Sequence, residues 1–354
     1  MRGTTLSRVV EKARSSLTLG ANDCVFSAGS LVEGLGTTKS DVDLLWLTEL
    51  DPRSIPPAED LTWVVGRSLV EVQAVALNAL HELLSRLHAW AQRPWDTTHD
   101  AKFSFDERKL LHRLLHARPV HGCGDGASNL KPSAADLTRL KLHVARQYSR
   151  TIQVDMVGNR DAGDFSSLVY AAQDLLGHAV DALTAGYGFT NPIPKWRSRL
   201  LDQIPADWER SLPIRPEGLT ASEKVWQLHR APDRSDKQSA LDHAFRISTF
   251  ARAVFAWAEM RLVSRDELID PSLFSLQSTG RVLPYLDFDV DFRIIDGRIF
   301  MGRLNEVGEP VELSPQEFAV ALLCDGVTTA WDAEPVISTL DHAGLSVSAV
   351  RAKK

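Results

Sequence analysis

The stretch Phe26-Ser-Ala-Gly-Ser-Leu-Val-Glu-Gly-Leu-Gly-Thr-Thr-Lys-Ser-Asp-Val-Asp-Leu-Leu-Trp-Leu47 constrains the fold of this chain more than any other. Apolar residues open and close it, and Gly29, Gly34 and Gly36 interrupt its middle. It therefore reads as a strand, a Gly-Ser turn, a short helical start, a Gly-rich connection and a second strand. Side chains alternate along a strand, which puts Asp41 and Asp43 on one face roughly 6–7 Å apart and turns Val42 and Leu44 toward the core. Two carboxylates that close repel each other, and a divalent cation neutralises them best. Gly29 and Ser30 stand upstream, where a turn free of side-chain obstruction can present backbone N–H groups to phosphate oxygens. A phosphate cradle and a Mg²⁺ grip are expected in one unit.

The order hydrophobic-Gly-Ser, ten residues, then Asp-x-Asp in a hydrophobic strand resembles the active-site signature of the polymerase-beta-like nucleotidyltransferases. That group includes kanamycin nucleotidyltransferases and small antitoxin-type enzymes. The resemblance covers roughly residues 20 to 125 well and the following helices more loosely. It implies a third carboxylate on a neighbouring strand, and Glu71 in the alternating piece Val70-Glu-Val-Gln-Ala-Val75 is the candidate. An exposed strand glutamate, or a helical residue within one long helix over 68–91, is the competing reading of Glu71. The sequence departs from the pattern at Glu33, where small members usually carry Arg, so a cationic phosphate contact is either lost or supplied from elsewhere.

Composition limits the function classes. The 354 residues suffice for two or three domains, and 40 basic against 46 acidic residues leave a net charge of −6. That balance gives no global pull toward nucleic acid or an anionic membrane, so a long nucleic-acid substrate is disfavoured. Cys24, Cys123 and Cys324 are too few and too scattered for a disulfide framework or a metal knuckle, which suits a cytoplasmic chain. The first 19 residues mix charges through an amphipathic pattern, with Val9, Val10 and Ala13 as its apolar stripe, and lack the apolar core of a signal peptide. No apolar run reaches the roughly 20 residues of a membrane span.

Further along, the prolines at 52, 56 and 57 predict a loop, and Leu80, Leu83, Leu84 and Leu87 predict a helix. Residues 106–121 read as another helix ending at Pro119, with a polar face carrying His112 and His116. A metal role for these two with His121 is disfavoured, because no further Cys or His stands at ligand spacing. Gly122 to Gly126 reads as a linker.

Two amphipathic stripes, Leu137, Leu140, Val144, Tyr148, Ile152 and then Leu168, Ala171, Ala172, Leu175, Ala179, Leu183, predict a helical bundle. The phrase Pro192-Ile-Pro-Lys-Trp196 is similar to the start of the small helical domain in kanamycin-type enzymes. By that resemblance Lys195 is a candidate triphosphate contact. Asp164 and Asp174 both remain open as the general base. Residues 205–232 read as irregular, and 241–262 as a further amphipathic helix.

The C-terminal pattern changes. Asp287-Phe-Asp-Val-Asp-Phe-Arg-Ile-Ile-Asp-Gly297 and Arg298–Leu304 read as a hairpin, and Ser314-Pro315 as the start of a helix over 316–324, with a last helix over 333–342. Strand, strand, helix, helix with a "Leu-Ser-Pro … Asp-Gly" phrase resembles the winged-helix recognition elements of ribosomal-peptide biosynthesis, which implies leader-peptide binding at a sheet edge. A generic winged-helix or oligomerisation appendage is the other reading. Asp287, Asp289 and Asp291 are expected to be solvated.

The sequence thus predicts an α+β protein: a mixed-sheet nucleotidyltransferase domain over 1–126, a helical bundle domain over 127–268 and a winged-helix-like module over 282–354. The expected activity is Mg²⁺-dependent transfer of a nucleoside monophosphate from a nucleoside triphosphate, ATP in the first instance, to a small-molecule or peptide hydroxyl. Asp41, Asp43 and Glu71 would hold the metal, and Gly29, Ser30 and Lys195 the phosphates. A catalytically weakened peptide-binding module is the alternative, and a homodimer stays open.

Overall fold

The computed structural model describes residues 9, 11, 12, 15–17, 19–93, 95, 102–122, 130–233, 236–264, 281–295, 297–304, 309–330 and 334–347. The chain forms two compact units, Met1–Leu137 with Thr190–Trp196, and Thr138–Phe189 with Arg197–Lys354. The architecture is α+β, with a mixed sheet in the first unit and helices with a small antiparallel sheet in the second. The expected domain limits near 126 and 268, together with Cys123, Val10 and Ala13, lie outside the described residues. No described helix is long and apolar enough to cross a membrane.

The first unit is built on a five-stranded sheet. Its strands are β1 (Cys24–Ala28), β2 (Val42–Thr48), β3 (Thr62–Val65), β4 (Ser68–Ala76) and β5 (Arg118–His121), in the order β3-β4-β2-β1-β5. Only β2 and β4 run parallel, with Asp43 opposite Glu71. Val25, Val42, Leu44, Trp46, Val70 and Val72 pack on one face with Val9 and Leu17. The alternation sends Asp43, Leu45 and Leu47 to the opposite face.

Helix α1 (Leu77–Ala91) follows β4 directly and buries Leu80, Leu83 and Leu87, so Glu71 belongs to a strand and not to a long helix. Helix α2 (Phe105–His116) starts in a capping box, the Ser104 hydroxyl accepting from the Glu107 N–H and the Glu107 carboxylate from that of Ser104. It ends three residues before Pro119. The expected last helical turn is instead the edge strand β5, where Pro119 opposes Phe26 of β1 and its missing N–H costs little.

The second unit contains α3 (Ala134–Asp161, from Thr138), α4 (Phe165–Gly186), α5 (Arg197–Leu201), α6 (Ala221–His229) and α7 (Lys237–Glu259). Helix α6 falls in the stretch that reads as irregular; its signal is the capping box Thr220-x-x-Glu223, masked by the prolines around it. The stripe assigned to α3 is also rotated. The rotation applies from Tyr148 onward: Leu137, Leu140 and Val144 are buried as expected, but Tyr148 is 55% exposed and stacks on His178, while Arg146, Ser149 and Gln153 are buried.

The reason lies in the C-terminal segment. It holds β6 (Arg281–Val282), β7 (Tyr285–Leu286), β8 (Val290–Ile295), β9 (Arg298–Arg303) and β10 (Val311–Leu313). Then follow α8 (Pro315–Leu322), β11 (Thr329–Ala330), α9 (Glu334–His342) and β12 (Ser346–Val347). Strands β10-β9-β8 form a sheet, with Gly297 at φ +76° in the β8–β9 turn. Asp287, Asp289 and Asp291 are not solvated but 4–5% exposed. Arg150 pairs with Asp291 at 2.9 Å, Arg303 with Asp289 at 2.7 Å, and Arg146 and Arg160 close on Asp291 and Asp287. Alternation tells which face an aspartate takes, but not that arginines of a neighbouring helix will cover that face.

Candidate active site

Gly29 ends β1 at φ +75°, a conformation other residues adopt only under strain, and starts the turn that the sequence pattern predicts. Its carbonyl accepts from the N–H groups of Val32 and Glu33, and that of Ser30 from Leu35 and Gly36, so the loop curls into a single tight turn. The turn is fitted against Asp43. A Cβ built on Gly29 would lie 2.0 Å from Asp43 Oδ2.

Asp43 is the second residue of β2, and Asp41 stands exposed one residue ahead of the strand. The expected pair of strand aspartates is therefore one aspartate in the ladder and one at its mouth. Glu71, exposed on β4, is Asp43's direct neighbour in parallel register. From α2, Arg113 Nη2 donates to Asp43 Oδ1 at 2.6 Å and Nη1 to Gln73 Oε1 at 3.2 Å. Burial raises the Asp43 carboxyl and Arg113 opposes it most strongly; Glu71 and Asp41 add to the rise, Lys109 subtracts, and the carboxyl stays above its ordinary range. Burial thus outweighs the pairing with Arg113.

A cavity of about 230 Å³ opens beside Asp43. Gly29 and Ser30 form its floor, Lys109, Arg113 and Lys195 its cationic rim, and Phe105, Ile193 and Trp196 an apolar wall. Lys195 Nζ lies over the Trp196 ring, 4.9 Å from its centroid. Lys195 comes from the segment Thr190–Trp196, distant in sequence but part of this unit.

That segment is fastened through Glu33. The Glu33 carboxylate receives His112 Nε2 at 2.8 Å and Asn191 Nδ2 at 3.0 Å on the same oxygen. His112 Nδ1 meets Thr190 Oγ1 at 2.8 Å. Burial opposes ionisation of Glu33, but the His112 hydrogen bond and charge outweigh it, with help from Asn191, and hold the carboxyl below its usual range. Glu33 is thus a structural anchor, and the cations absent at its position arrive from α2 and Lys195. His112, at 2% exposure, is the buried hub of this network and not a residue of a polar face.

Gly29, Ser30, Asp43 and Lys195 meet at one cavity, with Glu71 beside Asp43 and Asp41 at the strand's mouth. Lys109, Arg113 and Asn191 escaped the sequence reading, and His112 stood there only as a polar-face residue. Lys109 and Arg113 stand four residues apart, so the helical period does place them on one face. Asp164 caps α4 through the Ser167 N–H, and Asp174 is exposed on the same helix; both belong to the second unit.

Comparison with known proteins adds a distant structural likeness. No family model matches the chain, and no curated protein matches it. The 1.90 Å crystal structure of a nucleotidyltransferase-like protein from Exiguobacterium sibiricum 255-15 is similar to it, with 11% identity and a TM-score of 0.36. The match covers 79% of this chain and 81% of that one.

The donor set of Asp41, Asp43 and Glu71 suits a hard divalent cation by residue type. Among the described residues, though, no three such side chains converge on one point, and Arg113 holds Asp43 Oδ1. The residue types fit a metal; their present rotamers do not close around one.

Proposed function

We propose that this chain is a nucleotidyltransferase, moving a nucleoside monophosphate, AMP from ATP in the first instance, onto an acceptor hydroxyl with release of pyrophosphate. The observation that carries the reading is the convergence of Gly29, Ser30, Lys109, Arg113 and Lys195 with Asp43 around one cavity. Three cations and a side-chain-free turn suit a polyphosphate, and the apolar wall suits a base. Lys109, Arg113 and Lys195 would bind the phosphates and draw off the charge that develops on pyrophosphate as the α–β phosphate bond breaks. The acceptor oxygen bonds the α-phosphorus in the same step, and its proton passes to a base. Mg²⁺ held by Asp41, Asp43 and Glu71 would supply Lewis-acid stabilisation of the transferred phosphoryl group.

One feature of the second unit favours a peptide over a small-molecule acceptor. Arg146 Nη2 donates to the Phe292 carbonyl of β8 at 2.9 Å, whereas β10 is the terminal strand of its sheet and no described strand pairs with its outer side. An open edge accepts a further strand. The Arg113–Asp43 pair favours the alternative that the fold binds peptides without transferring nucleotides.

The test is incubation with each labelled nucleoside triphosphate, Mg²⁺ and an extract of the native host, followed by mass analysis for a molecule that has gained a nucleotide. Pyrophosphate release and one adduct are expected; no release with any of the four triphosphates overturns the proposal.

A further inference from the structure

The anchor that fastens the Lys195 segment continues into a second histidine. Thr190 Oγ1, which meets His112 Nδ1 at 2.8 Å, also lies 3.3 Å from His116 Nε2. The two rings stand one turn apart on α2, with 4.8 Å between their centroids. His112 and Thr190 are buried, while His116 reaches solvent, so the chain Glu33–His112–Thr190–His116 runs from the cavity wall to the surface.

Proton counting limits this chain. An ionised Glu33 only accepts, so His112 Nε2 carries a hydrogen, and Thr190 has a single hydroxyl hydrogen to give to either ring. If His112 Nδ1 is protonated, it donates to Thr190, and Thr190 donates to a neutral His116. If His112 Nδ1 is bare, Thr190 donates to it and accepts from His116. Either arrangement takes one positive charge on the two rings. A second leaves the Thr190 hydrogen without an acceptor in the chain and sets two cations 4.8 Å apart. Partial burial, the His112 charge and Lys131 accordingly hold the His116 pKa below its ordinary 6.5, against the pull of Glu33.

We propose that His112, Thr190 and His116 form an acid-sensitive latch on the cavity: while the rings share one charge, Thr190 is held and Lys195 is delivered to the phosphates, and a second proton releases Thr190 and its segment. This rests on the nucleotidyl-transfer reading of the cavity and adds a positioning residue, His116, to it. The connection from latch to cavity is short. Asn191, next to Thr190, donates to Glu33 and accepts with Oδ1 from the Ile193 N–H at 2.9 Å, and Ile193, Lys195 and Trp196 line the cavity.

The sign of the pH effect separates the latch from plain electrostatics. Added charge on His116 would by itself tighten binding of a triphosphate as pH falls, whereas release of the latch weakens it. The test titrates α,β-methylene-ATP, whose α–β bond resists cleavage, into the full chain by calorimetry from about pH 8 to about pH 5.5, in one buffer composition throughout. Affinity of the unaltered protein should fall about three- to tenfold as pH drops below 6.5. His116→Phe keeps a ring against His112 but takes no proton, and should retain only the shallower fall that protonation of the analogue's terminal phosphate gives every variant. His116→Lys, charged throughout, should bind weakly at every pH.

Affinity that rises with acid in the unaltered protein, or that falls equally in His116→Phe, overturns the latch and leaves the nucleotide reading standing. Should the variants fail to fold, the His116 Cε1 proton resonance of the unaltered protein decides. By linkage, bound analogue should move its titration to lower pH, and an unmoved or raised midpoint overturns the latch. No binding of the analogue at any pH overturns both the latch and the reading beneath it.

Discussion

Gly29 shows how a single residue joins backbone conformation to chemistry. Its positive φ, and the mere 2.0 Å that would separate an added Cβ from Asp43 Oδ2, make alanine doubly unfavourable there. Gly29→Ala should cost about 1–3 kcal/mol for the conformation alone, read as a lower urea midpoint. The clash adds to this, so the penalty should shrink in an Asp43→Gly background; an undiminished penalty would show that the two residues are not in contact. His112 makes a second residue-scale prediction. His112→Ala strands the buried Glu33 carboxylate with Asn191 only, and should cost about 3–5 kcal/mol, part of which Glu33→Gln restores. Gly29, Ser30 and Asp43 were legible because their roles are local, set by strand alternation and turn chemistry. Arg113 was not: the helix period groups it with Lys109, but only the packing of α2 on the sheet says that the shared face meets Asp43.

Among the elements, the parallel pairing of β2 with β4 does the most for the site, since it sets Glu71 beside Asp43 without any loop. The alternating run at 70–75 gave that strand away, and the following leucines gave the helix. The strand β5 was hidden inside an apparent helix because four residues carry too little periodicity to stand apart. Packing between elements was the least legible layer. Asp287, Asp289 and Asp291 look like a solvated face until Arg146, Arg150 and Arg160 of α3 and Arg303 of β9 are placed against them. The consequence is energetic. Asp291→Ala leaves Arg146 and Arg150 buried without that partner and should cost about 3–5 kcal/mol. Because these pairs tie α3 to β8, calorimetry of the full chain should show the helices and the C-terminal sheet of the second unit melting in one transition. Two resolved transitions within that unit would contradict this.

At the scale of the whole molecule, stability should fall with acid. His243 of α7 is 2% exposed, its Nε2 is 2.9 Å from the Gln173 amide nitrogen, and burial lowers its pKa to about 4, with Arg246 and His229 adding to the shift. Between the unfolded value of 6.5 and about 4, the unfolded chain holds a proton that the folded chain does not. Stability is therefore intact above that window and declines as pH falls through it, by up to about 3 kcal/mol from this group. His243→Gln should flatten the urea midpoint over that range, and an unchanged slope would remove His243 as the cause. The larger claim concerns what the first unit is for. The most direct measurement is Mg²⁺-dependent pyrophosphate release from ATP by the unaltered chain and by the double variant Asp41→Asn, Asp43→Asn. Release by the first and background by the second, with both folded, is the expected result; undiminished release by the double variant would contradict a nucleotidyl-transfer centre at these aspartates.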